Sequence, residues 1–170
     1  MISAAPATLI IGYGNPLRGD DGVGWHVAQH LAAIMPATVA CVRACHQLTP
    51  DLAEPVSQAR RVIFIDADAQ CQDADVALPE PQYWRIRCQR VVPDWSAAIS
   101  GGSHHLVPAV LLIYAAVLYG ASPKALVLKV TGVSFAHTQV LSPAIMAVLP
   151  ALVDQVQMLA RSMNPEMSCF

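Results

Sequence analysis

The sequence predicts an α/β protein, a three-layer α/β/α sandwich around a mainly parallel sheet of about five strands. Three observations carry this. Thr8-Leu9-Ile10-Ile11 is uncharged and apolar, the composition of a strand buried on both faces, and it runs straight into a glycine-rich loop. Val23, Val27, Leu31 and Ile34 then recur at spacings of four, four and three, the stripe of a helix that packs on a sheet. Strand-like and helix-like segments go on alternating to the end of the chain, which calls for parallel strands joined by crossovers.

The remaining elements follow in order. Thr38 to Val42 reads as a second strand, and Asp51 to Ala59 as a short helix capped by Thr49 with Pro50 at its first position. Arg61-Val62-Ile63-Phe64-Ile65 is a β-branched strand that delivers Asp66 at its C-terminal end. A right-handed crossover would set it parallel and adjacent to the first strand. Ala69 to Gln82 is a polar, proline-punctuated surface loop, and Tyr83 to Cys88 alternates like an edge strand with one wet face. The glycine-rich run Ser100 to Ser103 reads as a mobile gate before His104 and His105. Leu106 to Tyr119 is the most apolar helix, with Pro108 in its first turn and Gly120 as C-cap. Lys124 to Thr131 alternates into a strand. Ser142-Pro143 starts a last helix with the stripe Ile145, Leu149, Leu152, Val156 and Leu159, which Pro150 should kink or break.

With 170 residues the chain makes one domain spanning 1–170, its end from 163 onward frayed. Apolar residues make up 55% and charged residues 13%, so the core is generous and part of the lightly charged surface is free to meet a partner. A net charge of -2, with Arg60-Arg61 and Arg85-Arg87-Arg90 small and separated, argues against a nucleic-acid partner. Five irregularly spaced cysteines do not form a disulfide framework and imply a reducing cytoplasm; Cys41 and Cys45 read as structural, since no second pair completes a zinc site. Met1 to Ala7 lacks the basic start of a secretion signal. The long uncharged run from Leu106 to Pro123 is interrupted below the ~20 residues a bilayer requires, so no membrane is expected.

Charge and backbone freedom concentrate between Gly12 and Gly24. A dinucleotide fingerprint would need a third glycine where Leu17 stands, and two carboxylates at a helix mouth would repel a phosphate. The structural reading makes Asp20 a helix cap, worth about 1 kcal/mol, with Asp21 complementing the dipole. The run Gly12-Tyr13-Gly14-Asn15-Pro16-Leu17-Arg18-Gly19-Asp20-Asp21-Gly22-Val23-Gly24 resembles the N-terminal signature of the hydrogenase maturation proteases, endopeptidases that trim the C-terminal extension of the [NiFe]-hydrogenase large subunit. The likeness extends to the strand ending in Asp66, the His104 segment before a helix and the Leu141-Ser142-Pro143 helix start.

This resemblance implies the same fold and a site made of Asp21, Asp66 and His104, catalytic and metal-binding together. Asp21 stands where the family often has Glu, and His105 competes with His104 for the histidine position. The set of two carboxylates and one imidazole suits nickel and other borderline divalent ions. The resemblance further implies that nickel belongs to the substrate, the large-subunit precursor, which is trimmed only after nickel insertion. Either the ion or a carboxylate could activate the attacking water. Asp68, two residues after Asp66, is a candidate to support the ligands; His26, His30 and His137 read as surface or satisfied core residues. Two alternatives stand beside the endopeptidase. One is a non-catalytic nickel-binding maturation chaperone on the same scaffold. The other is an esterase like peptidyl-tRNA hydrolase, which opens with Gly-Leu-Gly-Asn-Pro; here Tyr13 replaces the leucine, and its Thr-Arg-His-Asn segment is absent.

Overall fold

A computed structural model describes residues 8–68, 86–96 and 106–162. Five strands, β1 (Thr8–Tyr13), β2 (Cys41–Cys45), β3 (Arg61–Asp68), β4 (Ile86–Val91) and β5 (Lys124–Thr131), form one sheet in the order β2-β1-β3-β5-β4. All neighbours are parallel except β4, which runs antiparallel along β5. Among the described residues, α1 (Val23–Ile34), α2 (Ala53–Gln58), α3 (Pro108–Tyr119) and α4 (Pro143–Arg161) complete the expected sandwich.

The two-residue alternation of the strands divides the core. Ile10, Ile63, Ile65, Leu128 and Val130 face α1 and α4, packing with Val27, Leu31, Ile145, Leu152 and Val156. Leu9, Ile11, Val62, Phe64 and Val127 face the other way, against Leu52, Val56, Leu111 and Ala115 beneath α2 and α3. Both faces of β1 and β3 are thus buried, the reason their sequences are apolar without interruption. Gly12 and Gly24 let α1 lie directly on β1, since a Cβ on Gly12 would meet the Gly24 carbonyl oxygen at 2.0 Å.

Several expectations shift. Strand β2 begins at Cys41, later than the predicted start, and the predicted helix over 51–59 divides into a 3-10 turn (Pro50–Leu52) and α2. Thr49 precedes that turn, but its side chain makes no capping hydrogen bond. The α1 stripe ends on buried Met35, while Ile34 is 47% exposed. Helix α4 continues through Pro150, which is exposed; the Met146 carbonyl that loses its N–H partner belongs to an exposed residue, where water can take its place. By length and composition α4 is apolar enough to cross a bilayer, yet Ile145, Val148, Leu152 and Val156 are buried on the sheet. Gly120 ends α3 in the left-handed conformation, φ +66°, as its C-cap assignment requires. Among the described cysteines Cys41 and Cys45 are free thiols, but Cys88 on β4 is disulfide-bonded, which the irregular cysteine spacing did not indicate. The expected loop from Ala69 to Gln82, the first residues of the expected edge strand, Tyr83 to Arg85, the expected gate over 100–103 and the expected fraying from 163 lie outside the described residues.

Candidate active site

The C-terminal ends of the parallel strands gather at one edge, where open α/β sheets place their ligands. A cleft of about 640 Å³ opens there, lined by Tyr13, Asn15, Arg18, Asp21, His46 and Asp66 among others, with Leu48, Leu106 and Val107 as apolar wall. Asp21, from the glycine-rich motif, and Asp66, from the end of β3, therefore open onto the same space. Asp66 arrives by strand parity: with Val62 and Phe64 it points to the α2/α3 face. Asp21 is held by the turn that follows β1, where the Asn15 N–H donates to its Oδ2 at 3.0 Å. Gly14, at φ +134°, makes that exit possible.

The register builds a row of polar side chains across the sheet. Tyr13 pairs with Cys45 on one side and, one step beyond the Gly12–Ile65 pair, lies alongside Asp66 on the other; Asp66 pairs with Lys129, and Lys129 with Arg87. The Tyr13 hydroxyl donates to Asp66 Oδ2 at 2.7 Å. Burial pushes the Asp66 carboxyl up to about 6; the Tyr13 hydrogen bond, Lys129 and the Ala67 N–H oppose this, and the Asp21 charge adds to it. Burial and the adjacent Asp66 push the Tyr13 phenol well above its ordinary value, so it stays a hydrogen-bond donor. Cys45 is raised to about 11, by burial first and by Asp51 second, with Arg43 opposing, and is a thiol at neutral pH.

Asp20 has a different role from the one its position suggests. Its carboxylate does not cap the helix. It is fully buried and accepts from the Val133 and Ser134 N–H groups at 2.8 and 2.9 Å, from the Ser142 N–H at 2.7 Å and from the Ser142 hydroxyl at 2.8 Å. Backbone bonds from Gly19 N–H to Thr138 O and Asp20 N–H to Ser134 O run beside it. The acidic loop is thereby fastened to the segment before α4. Ser142 also accepts from the Ile145 N–H, so it caps α4 as expected while bonded to Asp20. Asp68, expected beside the ligands, is buried and forms an ion pair with Arg87 instead.

Of the three expected ligands, Asp21 and Asp66 share the cleft; His104, like His105, lies outside the described residues. Among the described residues no group of three His, Cys, Asp or Glu side chains is placed to hold a metal ion. Two carboxylates opening on one cleft, one of them raised by burial, remain a suitable partial donor set for a borderline divalent cation. Sequence reading missed Tyr13 and His46 as members of the cleft. For Tyr13 the signal was present: it follows Leu9 and Ile11 in strand parity and so faces the same way as Asp66. His46 had only its place just after β2.

Loop, row and cleft sit on the fold of the hydrogenase maturation proteases. The chain is similar to the hydrogenase maturating endopeptidase HybD from E. coli, with 19% identity, a TM-score of 0.68 and 91% of each chain covered. It is similar to the [NiFe] hydrogenase maturation protease HycI from Thermococcus kodakarensis, with 16% identity, a TM-score of 0.66, and 94% of this chain and 96% of that one covered. A hydrogenase 2 maturation peptidase from a Thaumarchaeota archaeon shares 22% identity over 91% of this chain and 97% of its own, with a TM-score of 0.61. No protein-family model and no curated protein matches the sequence.

Proposed function

We propose that this chain is an endopeptidase that removes the C-terminal extension of a [NiFe]-hydrogenase large-subunit precursor once nickel has been inserted. The observation that carries the reading is the pair Asp21 and Asp66 opening onto one cleft at the C-terminal sheet edge, on the fold of proteins named for this activity. The Gly-x-Gly-Asn-Pro-Leu-Arg-Gly-Asp-Asp-Gly loop that positions Asp21 supports it.

In this reading Asp21, Asp66 and His104 meet the nickel that the precursor carries, and the ion is part of the substrate. Asp66 opens onto the cleft beside Asp21, and its carboxylate is the group placed to take a proton from the attacking water. Asp21, fixed by the Asn15 N–H, supplies the second oxygen donor. Leu48, Leu106 and Val107 form an apolar wall against which a peptide segment can lie while water is kept from its far side.

The test is to incubate the protein with nickel-loaded and nickel-free precursor and weigh the products intact. Loss of one C-terminal segment from the loaded form alone is expected. A precursor left at full mass in both forms would favour the non-catalytic chaperone.

A further inference from the structure

We infer that Tyr13 is a positioning residue for the proposed cleavage: its hydroxyl donates to Oδ2 of Asp66 and so fixes the direction in which that carboxylate meets the cleft. The inference rests on the reading of the cleft as an active site. The 2.7 Å bond carries it, together with the way the fold holds both partners. Tyr13 is the last residue of β1 and Asp66 sits within β3, so both backbones belong to the rigid sheet and neither partner depends on a loop for its placement. Close packing on the α2/α3 face, where Tyr13 lies against the buried cluster, fixes the ring.

The direction of the bond matters for the chemistry. A phenol donates one proton, and in the 2.7 Å bond that proton is directed at Oδ2. A carboxylate free at both oxygens can rotate; one tied at Oδ2 is held to one orientation. Reaction geometry is sensitive to this, since misplacement of a base by about 1 Å costs roughly 100-fold in rate. The Ala67 N–H also donates to this carboxylate, while Lys129, beside Asp66 on β5, attracts it only through the field of its charge.

Tyr13→Phe removes the hydroxyl and keeps the ring. In steady-state processing of nickel-loaded precursor, kcat is expected to fall roughly 10- to 100-fold while KM changes little, because precursor docking does not use the hydroxyl. Thermal melting checks that the variant is folded. Infrared difference spectra of wild type against Tyr13→Phe, with the aspartate carboxyls labelled with ¹³C, read the bond without any substrate. A change in the splitting of one carboxylate's stretching bands is expected. An unchanged spectrum, or a folded Tyr13→Phe protein with wild-type kcat, would overturn the inference. If Asp66→Asn is inactive while Tyr13→Phe cleaves normally, only the role of Tyr13 fails. If Asp66→Asn cleaves normally, the reading of the site fails and the inference with it.

Discussion

Burial raises the Asp66 carboxyl to about 6, so between roughly pH 4 and 6 the folded chain holds a proton that the unfolded chain has already released. The contribution of this group to stability is therefore complete below pH 4 and declines as pH rises through 6, the reverse of a salt-bridged aspartate. Asp66→Asn is neutral, can still accept from the Tyr13 hydroxyl, and should stabilise the fold by about 1–3 kcal/mol at pH 7.5 with little gain at pH 4. Urea unfolding at the two pH values measures the difference; equal effects at both would refute the desolvated charge. The amide substitution has the opposite effect at Asp20. Its four accepted hydrogen bonds are buried, so Asp20→Asn turns an amide N–H₂ toward donors and should cost about 3 kcal/mol or more, well above the value of a cap. The same denaturation series reads it. A loss below 1 kcal/mol would mean the carboxylate is not the clamp between the acidic loop and residues 133–142.

Among the elements, α4 shows how tertiary packing overrides local propensity. Its proline is exposed and its stripe buried, so the helix persists across a residue that alone would end it. Pro150→Ala restores the missing N–H and should stabilise the protein by roughly 1–3 kcal/mol, visible as a higher melting temperature. A lower melting temperature would mean that the ring makes a needed contact. The other end of α4 is tied by Arg61, whose guanidinium donates to the carbonyls of Leu159, Ala160 and Ser162 and to the Thr8 hydroxyl. These are the terminal carbonyls a helix cannot satisfy by itself. Sequence reading saw Arg61 only as part of a small basic group, because the helix carbonyls it meets lie about a hundred residues away.

For the whole molecule, the sandwich, the parallel order of β1 and β3 and the meeting of Asp21 with Asp66 were legible because each depends on local periodicity and on one topological rule. The Asp20 clamp was not, since a buried carboxylate with long-range backbone donors looks like a helix cap when only its neighbours are read. The row from Cys45 through Tyr13 and Asp66 to Lys129 needed the strand register, which sequence periodicity leaves open. The central claim is that the two carboxylates of this cleft perform a peptide cleavage. The most direct measurement is the intact mass of nickel-loaded precursor after incubation with wild type, Asp21→Asn or Asp66→Asn. Wild type should yield the shortened product, and both variants should leave the precursor whole, Asp66→Asn while melting at or above the wild-type temperature. A shortened product from either folded variant at the wild-type rate would contradict the claim.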